Sequence, residues 1–179
     1  MLSKIAATYL LTIAREAIIH HVKQFDYQPE IPTDKELKTH SGCFVTIKQN
    51  GHLRGCIGNF QSQQPLFHEV ATMAVAAASQ DPRFPPMSRA ELNNFSLEIT
   101  VLSPLEKIEE INQIEVGIHG IYIVKGSNRG VLLPQVATEY GWDLLTFLQQ
   151  TCHKAGLTED AWQLPETEIY RFSGQIISE

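Results

Sequence analysis

The stretch GHLRGCIG, residues 51–58, sets a thiol two residues from a guanidinium and four from an imidazole. In a regular strand alternate side chains share a face, so His52, Arg54 and Cys56 are expected together. Such a face offers the chemistry of an activated thiol, because the thiolate is the nucleophile and a nearby cation favours it. Arg54 lies about 6.6 Å from Cys56 by strand rise, within reach of its flexible side chain. His52, about 13 Å away, could act as a base only if the chain bends. The competing reading is a small buried cysteine packed in a sheet, a common place for this residue. Both stand open on these residues alone. Cys43 and Cys152 are read as packing residues.

The elements that must position this face are legible around it. GCFVTIKQNGHLRGCIG reads as two strands joined at Asn50-Gly51, a strong hairpin signal. Cys43, Val45 and Ile47 form one apolar face, joined by Leu53 and Ile57, while Thr46 and Lys48 line the polar face with Cys56. PLFHEVATMAVAAASQ reads as a helix whose alanines allow close packing, ended by DPRFPP. SRAE is a capping box opening a short helix, and FSLEITVL is a strand. Upstream, Ile5, Tyr9, Ile13 and Ala17 recur at four-residue spacing, which predicts a helix over 3–24 covering the sheet.

The second half repeats the order. GIHGIYIVKGSNRGVLLP is a hairpin turning at GSN, apolar on both faces and therefore expected to be sandwiched. A helical stretch interrupted at Gly141 and a final strand, ETEIYRF, follow. Gly42 corresponds to Gly120, and Arg54-Gly55 to Arg129-Gly130, at an offset of about 75–78 residues. The expected fold is α+β, with two related β-β-α-β units, mostly antiparallel, over roughly 35–105 and 115–173 of a single domain. Cys56 becomes Val131 in the second copy, so the hairpin itself does not require a thiol.

Other polar marks are fewer. In DPRFPP, Asp81 is placed to bond nearby backbone, and Arg83 to pair with a carboxylate or grip an anion, although a stiff loop pinning two elements is the favoured reading. His119 sits at the mouth of the second hairpin. Gln135 follows Pro134 at a helix start, where backbone N–H groups can face an anion. His20-His21 lacks a third ligand nearby and no Cys-x-x-Cys pair occurs, so no metal site is expected. The residues name no cofactor. A formal charge of −6 argues against a general nucleic-acid binder. Three widely spaced cysteines suit a reducing cytoplasm, and the apolar N-terminal run is too short for a membrane span.

LRGCIG, GCFVTI, DPRFPP, HGI, GVLLPQVA and KAGL followed by a tryptophan occur here in the order of the AMMECR family. By these motifs the resemblance runs from about Leu37 to Phe172, and LRGCIG is its most specific part. It resembles in particular protein A of the AmmeMemoRadiSam system. It implies a two-subdomain α+β fold whose motif residues gather around a cavity between subdomains. These map to Arg54, Gly55, Cys56 and Gly58, to Asp81, Pro82, Arg83 and Phe84, and to His119, Pro134 and Gln135. As partners it implies a Memo-like protein and a radical S-adenosylmethionine protein. It supplies no established reaction, and His52 stands outside its motif.

The expectation is therefore a thiol-dependent enzyme or enzyme component, with Cys56 and Arg54 catalytic. Gly55, Gly58, Asp81, Arg83, Phe84, His119 and Gln135 would bind a small anionic substrate. The alternatives are a non-catalytic adaptor for the same partners and, more weakly, an RNA-binding module.

Overall fold

The computed structural model describes residues 2–179. The chain forms two compact units, one running to Leu102 and including Gln175–Glu179, the other Ser103–Gly174. All strand pairs are antiparallel and helices accompany both units, so the fold class is α+β.

The first unit begins with α1 (Lys4–Lys23), whose N-terminus is capped by the Ser3 hydroxyl accepting from the Ala6 N–H. Its buried face is Ala6, Leu10, Ile13, Ala14, Ala17 and Ile18, whereas Ile5 is 82% exposed. The expected Ile5–Tyr9 stripe is thus displaced. A strict four-residue repeat overshoots the 3.6-residue turn and drifts around the helix by about 40° per step. The sheet follows as β1 (Cys43–Gln49), β2 (His52–Asn59) and β3 (Ser96–Leu102), in the order β2-β1-β3, with α2 (Leu66–Ser79) after β2. Asn50 and Gly51 both take positive φ, 52° and 78°, as the tight Asn-Gly hairpin turn requires. Val45, Ile47, Leu97 and Ile99 are fully or almost fully buried in one core with α1 and α2.

One irregularity changes the reading of β2. Ile47 pairs with Gly55 but Lys48 pairs with Leu53, leaving Arg54 as an extra residue in a bulge. Beyond that bulge the parity inverts. Leu53 faces with Lys48 and is 43% exposed instead of joining the apolar face. His52 pairs with Gln49, on the parity of Val45 and Ile47, so the expected shared face of His52, Arg54 and Cys56 does not form.

The second unit holds β4 (Glu106–Lys107), β5 (His119–Lys125), β6 (Asn128–Leu132), α3 (Pro134–Tyr140), α4 (Leu144–Lys154) and β7 (Glu168–Ser178), whose last residues lie in the first unit. β7 pairs with β5 and β4, and β5 with β6. α3 stops at Gly141, which takes φ 66°, and Asp143 caps α4. Ile121 and Ile123 are fully buried, but Tyr122, Val124 and Val131 on the opposite face are only half-buried. This hairpin therefore has one core face, and Tyr122 on the other stands 6.0 Å from the ring of Tyr170.

Both units run hairpin, helix, strand, and one contact recurs inside each. A Cβ on Gly55 would lie 2.2 Å from the Ala77 carbonyl oxygen of α2. A Cβ on Gly130 would lie 2.6 Å from Ala155 N and Thr151 O at α4. In each hairpin the second strand carries glycine where a helix backbone presses against it.

Candidate functional site around Cys56

Cys56 pairs directly with Thr46, and direct partners project to the same face. That face is the one opposite Val45 and Ile47, which α1 and α2 cover. It carries Phe44, Thr46, Lys48, Cys56, Glu98 and Thr100, all half-buried. The Thr46 hydroxyl donates to Cys56 Sγ at 3.2 Å, and Lys48 Nζ pairs with Glu98 at 2.9 Å. The polar character expected for this face therefore rests on Thr46, Lys48 and Cys56, without His52 or Arg54.

The loop after α2 closes on the outer edge of β2. Asp81 is 4% exposed, and its Oδ2 accepts from the Cys56 N–H at 2.8 Å. Both carboxylate oxygens also take the Arg83 side chain, at 2.9 and 2.7 Å. Arg83 Nη2 in turn donates to the Cys56 carbonyl at 3.3 Å. One ion pair thus satisfies both main-chain groups of Cys56, as a neighbouring strand would, and blocks the sheet edge at this point. The hydrogen bond from Arg83 is the first cause holding the Asp81 carboxyl well below the usual carboxylate range. The same bond leads in raising the proton affinity of Arg83, and the nearby Cys56 sulfur adds to it. Arg83, not Arg54, is the cation that reaches Cys56, through its carbonyl.

Arg54 turns elsewhere. Its Nε donates to Glu91 at 2.6 Å and its Nη2 to the Pro85 carbonyl at 2.9 Å, with the side chain 11% exposed. Phe84 lies against both guanidiniums, 5.8 Å from Arg54 and 5.7 Å from Arg83. Glu91 is the capping residue of the SRAE segment and also accepts from Ser88 N–H and hydroxyl. The Arg54 hydrogen bond is the main reason its carboxyl is held at about 2. This yields a pH prediction. The folded value lies below the ordinary 4.5, so the pair stabilises fully above that value and is lost as pH falls from 4.5 toward 2. Glu91→Gln is expected to remove a contribution on the order of 2 kcal/mol at pH 7 and to flatten the acid limb in that window. Urea melts at pH 7 and pH 3 check it.

Gly55 and Gly58 serve the same region by what they lack. Gly55 lets α2 approach, and a Cβ on Gly58 would collide with Cys43 O at 2.3 Å and Phe44 Cδ1 at 2.4 Å. His119 and Gln135 belong to the second unit. His119 is half-buried and its Nδ1 accepts from the Glu115 N–H at 3.0 Å. Gln135 is exposed, and its carbonyl accepts from the Thr138 hydroxyl at 2.8 Å. Arg54, Gly55, Cys56, Gly58, Asp81, Arg83 and Phe84 are brought together within the first unit.

Two residues escaped the sequence reading. Glu91 was visible as a cap, but nothing marked it as the anchor of Arg54. Glu69, 3% exposed, accepts from Asn59 Nδ2 at 2.7 Å and Ser62 Oγ at 2.6 Å, tying the end of β2 to the first turn of α2. A carboxylate is favoured there by the helix dipole. Cys43 and Cys152 are fully buried, and burial pushes both thiols up.

Among the described residues no helix is long and apolar enough to cross a membrane. A protein of Methanopyrus kandleri is 41% identical over 180 residues, covering 96% of this chain and 87% of the relative. One of Methanothermobacter thermautotrophicus is 41% identical over 186 residues, covering 99% and 96%. The crystal structure of an uncharacterised protein from Pyrococcus horikoshii superposes with a TM-score of 0.84 at 37% identity, covering 99% of this chain and 93% of that one. The family model for AMMECR1 matches residues 11–177, and the chain belongs to that family.

Proposed function

We propose that the protein is a thiol-dependent enzyme, or a component of one, in which Cys56 acts on a small anionic substrate beside Arg83. The observation carrying this reading is the grouping at Cys56. The sulfur of half-buried Cys56 accepts from the Thr46 hydroxyl, and its main chain is clamped by Asp81 and by Arg83, a cation that is 55% exposed. Hydroxyl and guanidinium are the groups that stabilise an anion forming at sulfur, and the clamp holds the strand still while it forms. Arg54 acts at one remove, positioning the Pro85–Glu91 segment. His119 and Gln135 are retained as substrate-binding candidates on the family resemblance. The unpaired cysteines suit a cytoplasmic setting, and the resemblance suggests work with Memo-like and radical S-adenosylmethionine proteins. The related order of the two units supports an internal duplication in which the position of Cys56 is a thiol in the first copy and Val131 in the second.

Iodoacetamide labelling of the folded protein followed by peptide mapping tests the reading. Labelling at Cys56 alone is expected; equal protection of all three cysteines would remove the thiol from the mechanism.

A second reading, a non-catalytic adaptor for the same partners, is favoured by β2 being an edge strand with Leu53 43% exposed beside its turn. Copurification of the Cys56→Ser chain from the native host, together with a test of whether that chain restores the cellular role, separates the two. The adaptor reading expects Cys56→Ser to retain its partners and its cellular role; the enzyme reading expects the role to be lost while the partners remain.

A further inference from the structure

Every cation around Cys56 carries its own carboxylate. Lys48 pairs with Glu98 at 2.9 Å, Arg54 with Glu91 at 2.6 Å and Arg83 with Asp81 at 2.7 Å. Three positive charges thus meet three negative ones, and the formal charge of the grouping is zero. A phosphate dianion or a nucleic-acid backbone finds no excess positive field here. What such a site can hold is a single negative charge met by well-placed donors.

The outer edge of β2 supplies those donors. The N–H and C=O of Cys56 face that edge, since Asp81 and Arg83 take them there. In an antiparallel strand residues two apart present their main-chain groups to the same edge. Gly58, which pairs with Phe44 in the same register, therefore turns its N–H outward, next along the edge after the Cys56 carbonyl. No side chain or loop among the described residues accepts it. Arg83 spends Nε and Nη2 on Asp81 and the Cys56 carbonyl, while Nη1 donates to none of the described residues. The Arg83 guanidinium is anchored on the Cys56 carbonyl, and the Gly58 N–H is the next outward main-chain group along that edge, so both donors serve one stretch of it and suit the two oxygens of a carboxylate.

We propose that Arg83 and the Gly58 N–H form a seat for a monocarboxylate, so that the substrate class at Cys56 is a small carboxylic acid rather than a phosphate ester. The proposal rests on the reading of Cys56 as a ligand site and narrows it. Arg54 touches no ligand in this scheme.

The test is an NMR titration of the full 15N-labelled chain with sodium acetate, and separately with inorganic phosphate, at matched ionic strength. The Gly58 amide resonance is expected to move saturably with acetate, at least about fivefold more tightly than with phosphate. Arg83→Lys, which keeps a cation for Asp81, is expected to weaken the acetate response by a similar factor. Phosphate binding as tightly as acetate, an unmoved Gly58 resonance, or an unchanged titration in Arg83→Lys would each overturn the seat. Alkylation of Cys56 distinguishes the two failures. A reactive Cys56 with no acetate response sinks the seat and leaves the thiol reading standing. Acetate binding to a chain whose Cys56 is inert, with the same titration in Cys56→Ser, sinks the thiol reading and keeps the seat.

Discussion

Gly55→Ala is expected to destabilise the first unit by about 3 kcal/mol, because packed interiors cannot absorb an added methyl against a rigid neighbour. The new Cβ would stand 2.2 Å from the Ala77 carbonyl oxygen. That atom belongs to the backbone of α2, so no side-chain rotation relieves the contact and the helix itself must retreat. Retreat would also draw Asp81 and Arg83, which follow α2 directly, away from Cys56. The control is Gly51→Ala at the hairpin turn, where φ is 78° and nothing lies within 4 Å of a Cβ. There the only cost is left-handed backbone strain, about 1–2 kcal/mol. Urea denaturation of the two variants separates crowding from strain, and comparable losses in both would contradict the close approach of α2.

The second large effect is expected at Asp81. Asp81→Ala removes the acceptor of the Cys56 N–H and the partner of Arg83, and leaves that N–H without a bond at a protected edge. The expected loss is about 2–3 kcal/mol. Asp81→Asn should fall between, since its carbonyl can still accept from Cys56 while its NH2 group opposes Arg83. Amide exchange at Cys56 should rise about tenfold or more in Asp81→Ala, because the local edge opens more readily. The charge dependence has a definite sign. The folded Asp81 carboxyl titrates below its ordinary 3.8, so its contribution is complete above that pH and fades only as pH falls below it. Wild type and Asp81→Asn should therefore converge in stability in strong acid.

Much of the frame could be read from residues, and the reasons are local. Asn50-Gly51 admits few alternatives to a two-residue turn, the SRAE box sits where its hydrogen bonds form, and proline at 82 and 85 prevents α2 from continuing. What alternation could not reveal was the bulge at Arg54. A period-two reading assumes one residue per rung, and one extra residue reverses every assignment on its far side. Gly55 was the available sign, since glycine inside a strand often marks a bulge or a close backbone approach, and here it marks both. The guanidinium that reaches Cys56 is hidden from a strand reading for a different reason. Arg54 was near Cys56 in sequence, whereas Arg83, 27 residues later, reaches the Cys56 carbonyl through a loop. Glu69 and Glu91 escaped because their partners lie in other elements. In the second hairpin, β-branched and aromatic residues on both faces suggested a sandwich, yet side chains such as Tyr122 serve equally on a half-covered face.

The central claim is that Cys56 is a thiol supported by Thr46 and Arg83, and its alkylation rate in the folded protein tests that most directly. With iodoacetamide at pH 7, Cys56 should react while Cys43 and Cys152, both fully buried, stay unlabelled until the chain unfolds. Thr46→Val should slow the Cys56 reaction about fivefold, the equivalent of one hydrogen bond of about 1 kcal/mol, and Arg83→Gln should slow it further. A Cys56 rate unchanged in both variants, or a Cys56 as inert as the two core cysteines, would contradict the account.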